Sequence, residues 1–319
     1  MKNSRVLVTA TSFGIIDPTL KTYLEDRVGE VVYNSTRKPL SSNQLADLLP
    51  GIDGLIAGLD MLDANALHSA DCLKVISRYG VGVDNVDLDT CKIRNIIVTN
   101  TPGANAVSVA ELAIGLMLCL LRKIPQAVSS TQAGHWPRTS GFSLEGKIVG
   151  IIGFGAIGKA LARLLVGFNC RILACDPEPD LAFADQIGVQ ILPLDQLLSE
   201  SHIISLHLPL LPSTRQMVNH DFLAKTRPDS FLLNLARGEI MDEAALYESL
   251  KSGHLAGAAL DAFSQEPPDP SNPIFSMENV LITPHMGAHT DGATNAMGWM
   301  SLKDCLAVLS GHDPIYRVA

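Results

Sequence analysis

An α/β protein with two doubly wound parallel sheets is the fold class this sequence predicts. Three observations point to it. Short apolar runs alternate with amphipathic helical segments along nearly the whole chain, as expected of parallel strands covered on both faces by helices. A glycine turn, Gly153-Phe-Gly155-Ala-Ile-Gly158, joins one such run to a helix in mid-chain. A long helical stretch over about 288–309 follows the last run and Pro284, and it can cross back and close the first domain. Together these predict a domain of residues 101–286 inserted into a domain made of 1–100 and 287–319.

The first part repeats a strand and helix beat. Apolar runs stand at Val6–Val8, Val31–Tyr33, Leu55–Ile56, Leu73–Ile76 and Ile96–Val98, with amphipathic segments such as Leu20–Val28 and Gln44–Leu49 between them. No glycine fingerprint follows the first strand, so this domain is expected to be a flavodoxin-like substrate domain and not the nucleotide-binding one. Asn100-Thr-Pro-Gly103 is a breaker cluster and an expected hinge. A helix over about 105–123 follows. Its apolar residues wrap almost fully round, which predicts packing between domains or subunits. Residues 126–146 read as an irregular arm carrying Trp136-Pro-Arg138. The beat then resumes, with strands expected at Ile148–Ile152, Ile172–Ala174, Ile203–Leu206, Phe231–Leu235, Ala256–Leu260 and Val280–Ile282.

The glycine turn lies inside Lys147–Asp176, which reads as strand, turn, helix, strand, acid. A lone glycine triplet also marks ordinary turns, but here every flanking part of a Rossmann dinucleotide site is present. Gly153 permits the tight turn, Gly155 lets the backbone approach a pyrophosphate, and Gly158 lets helix and strand pack closely. Ala156 and Ile157 open the helix, whose free N–H groups and positive dipole end favour phosphates. Asp176 falls 18 positions after Gly158, near the ~20 expected of an acid that holds a ribose 2′-hydroxyl. A carboxylate there favours NAD over NADP, and Arg171 precedes its strand, where it does not serve a 2′-phosphate.

Composition bounds the function. The chain has 319 residues, 47% hydrophobic and 18% charged, with a net charge of −9 and a mean hydropathy of +0.21. These values fit large buried cores, exclude disorder as the general state and disfavour a nucleic-acid groove. An anionic small substrate is compatible, because a local pocket can be positive. The six cysteines form no CxxC pair and read as buried thiols of a reducing cytoplasm, with no metal site expected. The N-terminus reads as a first strand and not a signal peptide. The longest apolar stretch, 106–121, holds Glu111 and falls short of the ~20 residues of a spanning helix.

Ligands of doubly wound sheets bind at strand ends, and four stretches place reactive groups there. Arg237 follows one strand in Asn234-Leu235-Ala236-Arg237-Gly238. Asp261 and Glu266 follow the next. His285 follows Val280–Ile282 and Pro284. Gly80-Val81-Gly82 is a turn after a strand of the other domain. Taken singly, each has an ordinary reading: His285 as a cap, Arg237 as an ion-pair partner, Glu266 as a loop acid, Asp261 as a turn cap. Taken together in one interdomain cleft, they suit hydride transfer to a ketone that carries a carboxylate. A histidine donates the proton, a carboxylate orients it, a guanidinium holds the substrate carboxylate and polarises the carbonyl, and a bent backbone adds N–H donors. His202 and His207 flank a strand; His207 opens a His-Leu-Pro turn beside the coenzyme sheet.

The glycine turn with Asp176, then LNLARGEIMDEAAL, ALDAFSQEP and ITPHMGAHT, together with SRYGVGVDNVD and NTPGANAVSVAELAIGLML, resemble the D-2-hydroxyacid dehydrogenase family across nearly the whole chain. Within it the sequence is most similar to the D-3-phosphoglycerate dehydrogenase-like members. The resemblance implies an NAD-dependent oxidoreductase with Arg237, Glu266 and His285 catalytic. It implies coenzyme contacts from Gly153, Gly155, Ala156, Ile157, Gly158, Asp176, His207, Leu235, Ala236, Asp261, Gly287 and Ala288. It places Val81 and Gly82 on the substrate carboxylate beside Arg237, and implies a homodimer through the long helix and arm. Two departures leave the substrate open. Where many phosphoglycerate enzymes carry an arginine after the Gly54–Gly58 strand, this chain reads Leu59-Asp60, so a phosphate would need Arg78 or Arg138. The regulatory C-terminal domain of some members is also not expected. The alternatives are a glyoxylate or hydroxypyruvate reductase and, in another class, an NAD(H)-sensing corepressor-like binding protein.

Overall fold

The computed structural model describes residues 1–319. In chain order its elements are β1 (Arg5–Val8), α1 (Thr19–Glu25), β2 (Glu30–Tyr33), α2 (Ser42–Leu48), β3 (Gly54–Ala57), α3 (Ala64–His68), β4 (Val75–Arg78), α4 (Leu88–Ile93) and β5 (Ile97–Thr99). Next come α5 (Ala106–Arg122), α6 (Ile124–Gln132), β6 (Ile148–Ile152), α7 (Ala156–Val166), β7 (Arg171–Cys175), α8 (Leu181–Ile187), β8 (Gln190–Ile191), α9 (Leu194–Glu200) and β9 (Ile203–Leu206). The last are α10 (His220–Ala224), β10 (Ser230–Asn234), α11 (Glu243–Lys251), β11 (Leu255–Leu260), β12 (Val280–Ile282) and α12 (Asp291–Leu309). The chain divides into two compact units, Met1–Asn105 with His289–Ala319, and Ala106–Ala288.

In the first unit the strand order is β2-β1-β3-β4-β5, all parallel. This is the flavodoxin-like order, which reverses direction between β1 and β3. Every residue of β3 and β4 is buried, as parallel strands under two helical layers must be. Beyond Thr99, residue Arg317 adds an antiparallel bridge and Val98 pairs with Val318 and Ala319, so the chain's last residues extend the sheet edge in the opposite sense.

The second unit has the order β12-β11-β10-β9-β6-β7-β8, also parallel throughout. It reverses between β6 and β9, the Rossmann pattern. One face is packed by α5 and α7, with Val109, Ala113, Met117, Leu161 and Leu165 buried over Val149, Ile151 and Leu233. The other is packed around Leu197, Leu223, Leu246 and Leu250.

Helix α7 and the strands of its own unit bury Val109, Ala113, Ile114, Leu116 and Met117 of α5. Two expectations are corrected. Residues 124–132, expected as irregular arm, are helical. Lys123 in the left-handed region, φ 50°, separates α6 from α5, and Pro125 sits in the first turn, where a missing N–H costs nothing. No residue of α6 is buried, so no apolar period announced it. The strand expected at 73–76 runs instead over 75–78, its end masked in the sequence by the polar but buried Ser77 and Arg78.

Candidate active site

The glycine turn is built as its sequence requires. Gly153 has φ +93°, and a Cβ there would strike the His207 carbonyl oxygen. A Cβ on Gly158 would strike the Gly153 carbonyl and lie 3.1 Å from Ile151 Cγ2, so α7 sits directly on the turn. Gly155 caps α7 with nothing within 4 Å of its own Cβ position. The helix start at Ala156 and Ile157 therefore opens onto space on the Gly155 side, and the end of a helix that carries free N–H groups favours an anion. Asp176 follows β7 and accepts from Phe154 N at 2.6 Å and Glu178 N at 2.9 Å, which ties the turn to the neighbouring strand.

His207 follows β9 across the point where strand order reverses. One ring nitrogen, Nε2, lies 2.9 Å from Ser205 Oγ. The other, Nδ1, is buried without a partner. Burial pulls the imidazole down to about 4, so it is neutral near neutral pH.

The ends of β10, β11 and β12 bring Arg237, Glu266 and His285 together. After β10, Asn234 locks the turn: its Oδ1 accepts Ala236 N at 3.0 Å and its Nδ2 donates to Arg237 O at 2.9 Å. A Cβ on Gly238 would overlap the Phe263 and Ser264 backbone, so the arginine turn lies tight against the segment that leads to Glu266. Glu266 accepts from Phe263 N at 3.1 Å, and His285 Nδ1 lies 2.9 and 2.8 Å from its two carboxylate oxygens. Burial alone would push Glu266 up. The hydrogen bond and charge of His285, the Phe263 N–H and the charge of Arg237 outweigh it and hold the carboxyl below the usual range. The His285 and Glu266 side chains are 29% and 34% exposed, open enough for a substrate to reach them. With Nδ1 given to Glu266, Nε2 is the nitrogen left to meet a reacting oxygen.

His285 itself has φ +50°, a strained conformation for a residue with a Cβ. Asp261 holds it there. This buried carboxylate accepts from Thr283 Oγ1 at 2.6 Å, Met286 N at 2.9 Å and Gly287 N at 2.9 Å. Ser108 of α5 adds a bond to Gly287 O at 2.6 Å. Asp261, expected along the coenzyme, thus commits both oxygens to the histidine segment. Sequence reasoning missed Asn234, Thr283 and Ser108. The first two sit at strand ends, where a polar residue closing an apolar run was the available signal; Ser108 gave none.

In the first unit, the turn Gly80-Val81-Gly82 has its carbonyls turned inward. Thr101 N donates to Gly80 O at 3.0 Å, Asn100 Nδ2 to Val81 O at 2.8 Å and Arg78 Nε to Gly82 O at 3.0 Å. The N–H groups of Val81 and Gly82 have no backbone partner. Arg78, considered above for a phosphate, also donates through Nη1 to Ala57 O at 2.9 Å and to Gly58 O. No group of side chains is placed to hold a metal ion.

The seven-stranded unit is thus a dinucleotide-binding domain of the Rossmann class, with a hydrogen-bonded histidine–carboxylate pair beyond the carboxyl ends of its strands. The chain belongs to the D-isomer specific 2-hydroxyacid dehydrogenase family, whose NAD-binding domain model matches residues 114–287. It is 38% identical over 275 residues to a D-3-phosphoglycerate dehydrogenase of Archaeoglobus fulgidus, covering 85% of this chain and 52% of that one. The chain spans about half the length of the curated relatives it matches. A solved protein of Thermus thermophilus superposes with a TM-score of 0.88 at 34% identity over 99% of this chain and all of that one. D-lactate dehydrogenase from Aquifex aeolicus, solved with NAD and lactic acid, superposes with a TM-score of 0.83 at 26% identity over 96% of both chains. No helix is long and apolar enough to cross a membrane.

Proposed function

We propose that the chain is an NAD-dependent dehydrogenase that interconverts a D-2-hydroxy acid and its 2-keto acid. When bound, NAD supplies the hydride acceptor of the oxidation and NADH the donor of the reduction. In the oxidation His285 Nε2 takes the hydroxyl proton as the carbinol hydrogen leaves with its electron pair, and in the reduction it returns that proton to the oxygen. Glu266 orients the ring through Nδ1 and stabilises the imidazolium. Arg237 pairs with the substrate carboxylate and polarises the carbonyl. Val81 and Gly82 add N–H donors to the same carboxylate. Gly153, Gly155, Ala156, Ile157, Gly158, Asp176 and His207 hold the nucleotide, and Leu235, Ala236, Asp261, Gly287 and Ala288 border the nicotinamide.

The observation that carries this reading is the His285–Glu266 bond at 2.8 Å, with Arg237 close enough to lower the Glu266 carboxyl. A complete acid–base trio supports an enzyme over a sensing protein. Oxidation of NADH by a panel of 2-keto acids tests it; silence toward every member defeats it. His285→Ala is expected to cut kcat by about 10²–10⁴-fold while NADH affinity stays within a few-fold. Equal loss of both contradicts the proton role.

The names of the curated relatives support phosphoglycerate as substrate. The unphosphorylated alternatives, glyoxylate and hydroxypyruvate, are favoured by Leu59 and Asp60 at the end of β3. A homodimer is part of the proposal, supported by the exposed Trp136, Phe142, Val128 and Ile124 on α6 and the arm. A reducing compartment, the cytoplasm, is supported by six unpaired thiols.

A further inference from the structure

We infer that Glu243 is a positioning residue for the acid–base pair: its carboxylate clamps the loop that presents Glu266 to His285 and ties that loop to the segment carrying Arg237. The inference rests on the dehydrogenase reading above and adds to it a residue outside the trio. Glu266 stands on the connection 261–279 between β11 and β12. None of residues 264–272 is buried, so core packing does not hold the stretch that carries it.

Glu243 opens α11 but does not cap it. Asp242 fills that role, accepting Ala244 N at 3.0 Å and Ala245 N at 3.2 Å. The Glu243 side chain is turned to the loop instead. Its Oε1 accepts the Ser264 hydroxyl at 2.8 Å and Ser264 N at 3.2 Å, and its Oε2 accepts Asn272 Nδ2 at 2.7 Å. The two oxygens thus hold one residue on each side of Glu266 in the chain. An acid in the first turn of a helix gains from the dipole alone and needs no such pair of partners. Asn272 is itself fixed, because its Oδ1 accepts Ile274 N at 3.1 Å, which leaves Nδ2 for Glu243. Phe275 stacks on Phe263 with ring centroids 5.4 Å apart, a second closure just outside the first. A loop whose ends are held together keeps few conformations, and Pro267, Pro268 and Pro270 restrict them further.

The clamp reaches the chemistry through one peptide. Phe263 N donates to Glu266 Oε1 at 3.1 Å, and Ser264, gripped by Glu243, is the next residue. Glu266 in turn holds His285 Nδ1 at 2.8 Å. On its other side Glu243 lies six positions after Arg237. The segment between them is closed by Met241 N donating to Gly238 O at 2.9 Å, and Gly238 packs against the Phe263 and Ser264 backbone. One carboxylate therefore holds the Glu266 loop in place relative to the arginine turn.

A double-mutant cycle on the full chain tests this, with kcat read from NADH oxidation by the fastest 2-keto acid of the panel above. Glu243→Ala is expected to lower kcat about 10–100-fold, the scale of a reacting group displaced by about an ångström, with the Kd for NADH within about twofold. In the Glu266→Ala background the same substitution is expected to lower kcat by no more than about twofold, because the group it positions is gone. A second readout needs no coenzyme: amide hydrogen exchange at Phe263, whose N–H is held by Glu266, is expected to quicken in Glu243→Ala. Where Glu243→Ala does not fold, Glu243→Gln, which keeps the volume and one acceptor oxygen, enters the same cycle, with a smaller loss and the same dependence on Glu266 expected. Equal factors in the two backgrounds overturn the inference, since a residue that only supports the fold acts alike in both. An unchanged kcat or an unchanged exchange rate at Phe263 also overturns it. Each of these leaves the dehydrogenase reading standing, because the unaltered chain still turns over. Turnover of no keto acid by the unaltered chain, with NADH bound, defeats the dehydrogenase reading and the inference with it.

Discussion

The molecule contains two glycine turns proposed to bind anions, and they are held in opposite ways. The turn at 153–158 is packed against backbone, Gly153 under the His207 carbonyl and Gly158 under the Gly153 carbonyl, with one side chain, Asp176, on Phe154 N. Its donors belong to an eleven-residue helix. The turn at 80–82 is fixed by side chains from elsewhere, Arg78 and Asn100, with Thr101 N on the third carbonyl. A turn packed against backbone has no room for a side chain at Gly153 or Gly158. A side-chain-built turn depends on distant residues.

The largest expected effect separates the two glycines of the first turn by function. Gly158→Ala forces a methyl group onto a fixed carbonyl and is expected to destabilise the fold by about 1–3 kcal/mol, with NADH binding falling in parallel. Gly155→Ala meets open space and is expected to leave the melting temperature within a degree or two while weakening NADH by about tenfold or more, since the methyl group enters the phosphate's approach. Thermal unfolding and fluorescence titration of NADH measure both. If Gly155→Ala melts early and still binds NADH at full strength, the division of labour between the two glycines is wrong.

The second turn predicts a smaller loss on a different axis. Asn100→Ala removes the bond to Val81 O, worth about 1 kcal/mol, and is expected to raise the KM for the keto acid several-fold with the Kd for NADH unchanged. A shift in NADH affinity instead would detach this turn from the substrate.

The contrast also explains what the sequence makes legible. The glycine spacing of the first turn, the buried strand 203–206 and the largely buried 148–152 could be read directly, because backbone packing and a buried strand both demand particular residue types in series. The trio could be read because each member lies in the loop that follows an apolar run. The supports of the second turn could not, since Asn100 and Arg78 act across 19 and 4 residues and the stretches that contain them announce no contact with the carbonyls of the turn. Asp261 was legible as an acid at a strand end but not as the clamp of a strained His285, because its three partners lie more than 20 residues away. Helix α6 was invisible for the plainest reason: it buries nothing.

The smallest effect concerns His207, whose carbonyl covers Gly153 and so joins the first turn to β9. Its imidazole is held down to about 4 by burial, below the ordinary 6.5. Between those values the unfolded chain binds a proton that the folded one refuses, so stability is full above about pH 6.5 and declines as the pH falls toward 4. By pH 5.5 the loss is expected to reach about 1 kcal/mol. Urea midpoints at pH 7.5 and pH 5.5 measure it, and His207→Gln, which cannot titrate, is expected to remove that part of the decline. The turn at 80–82 has no buried histidine among its supports, so binding of the keto acid carboxylate to it is expected to show no matching loss over the same interval. An identical acid decline in His207→Gln would place the proton on another group and leave the first turn as insensitive to pH as the second.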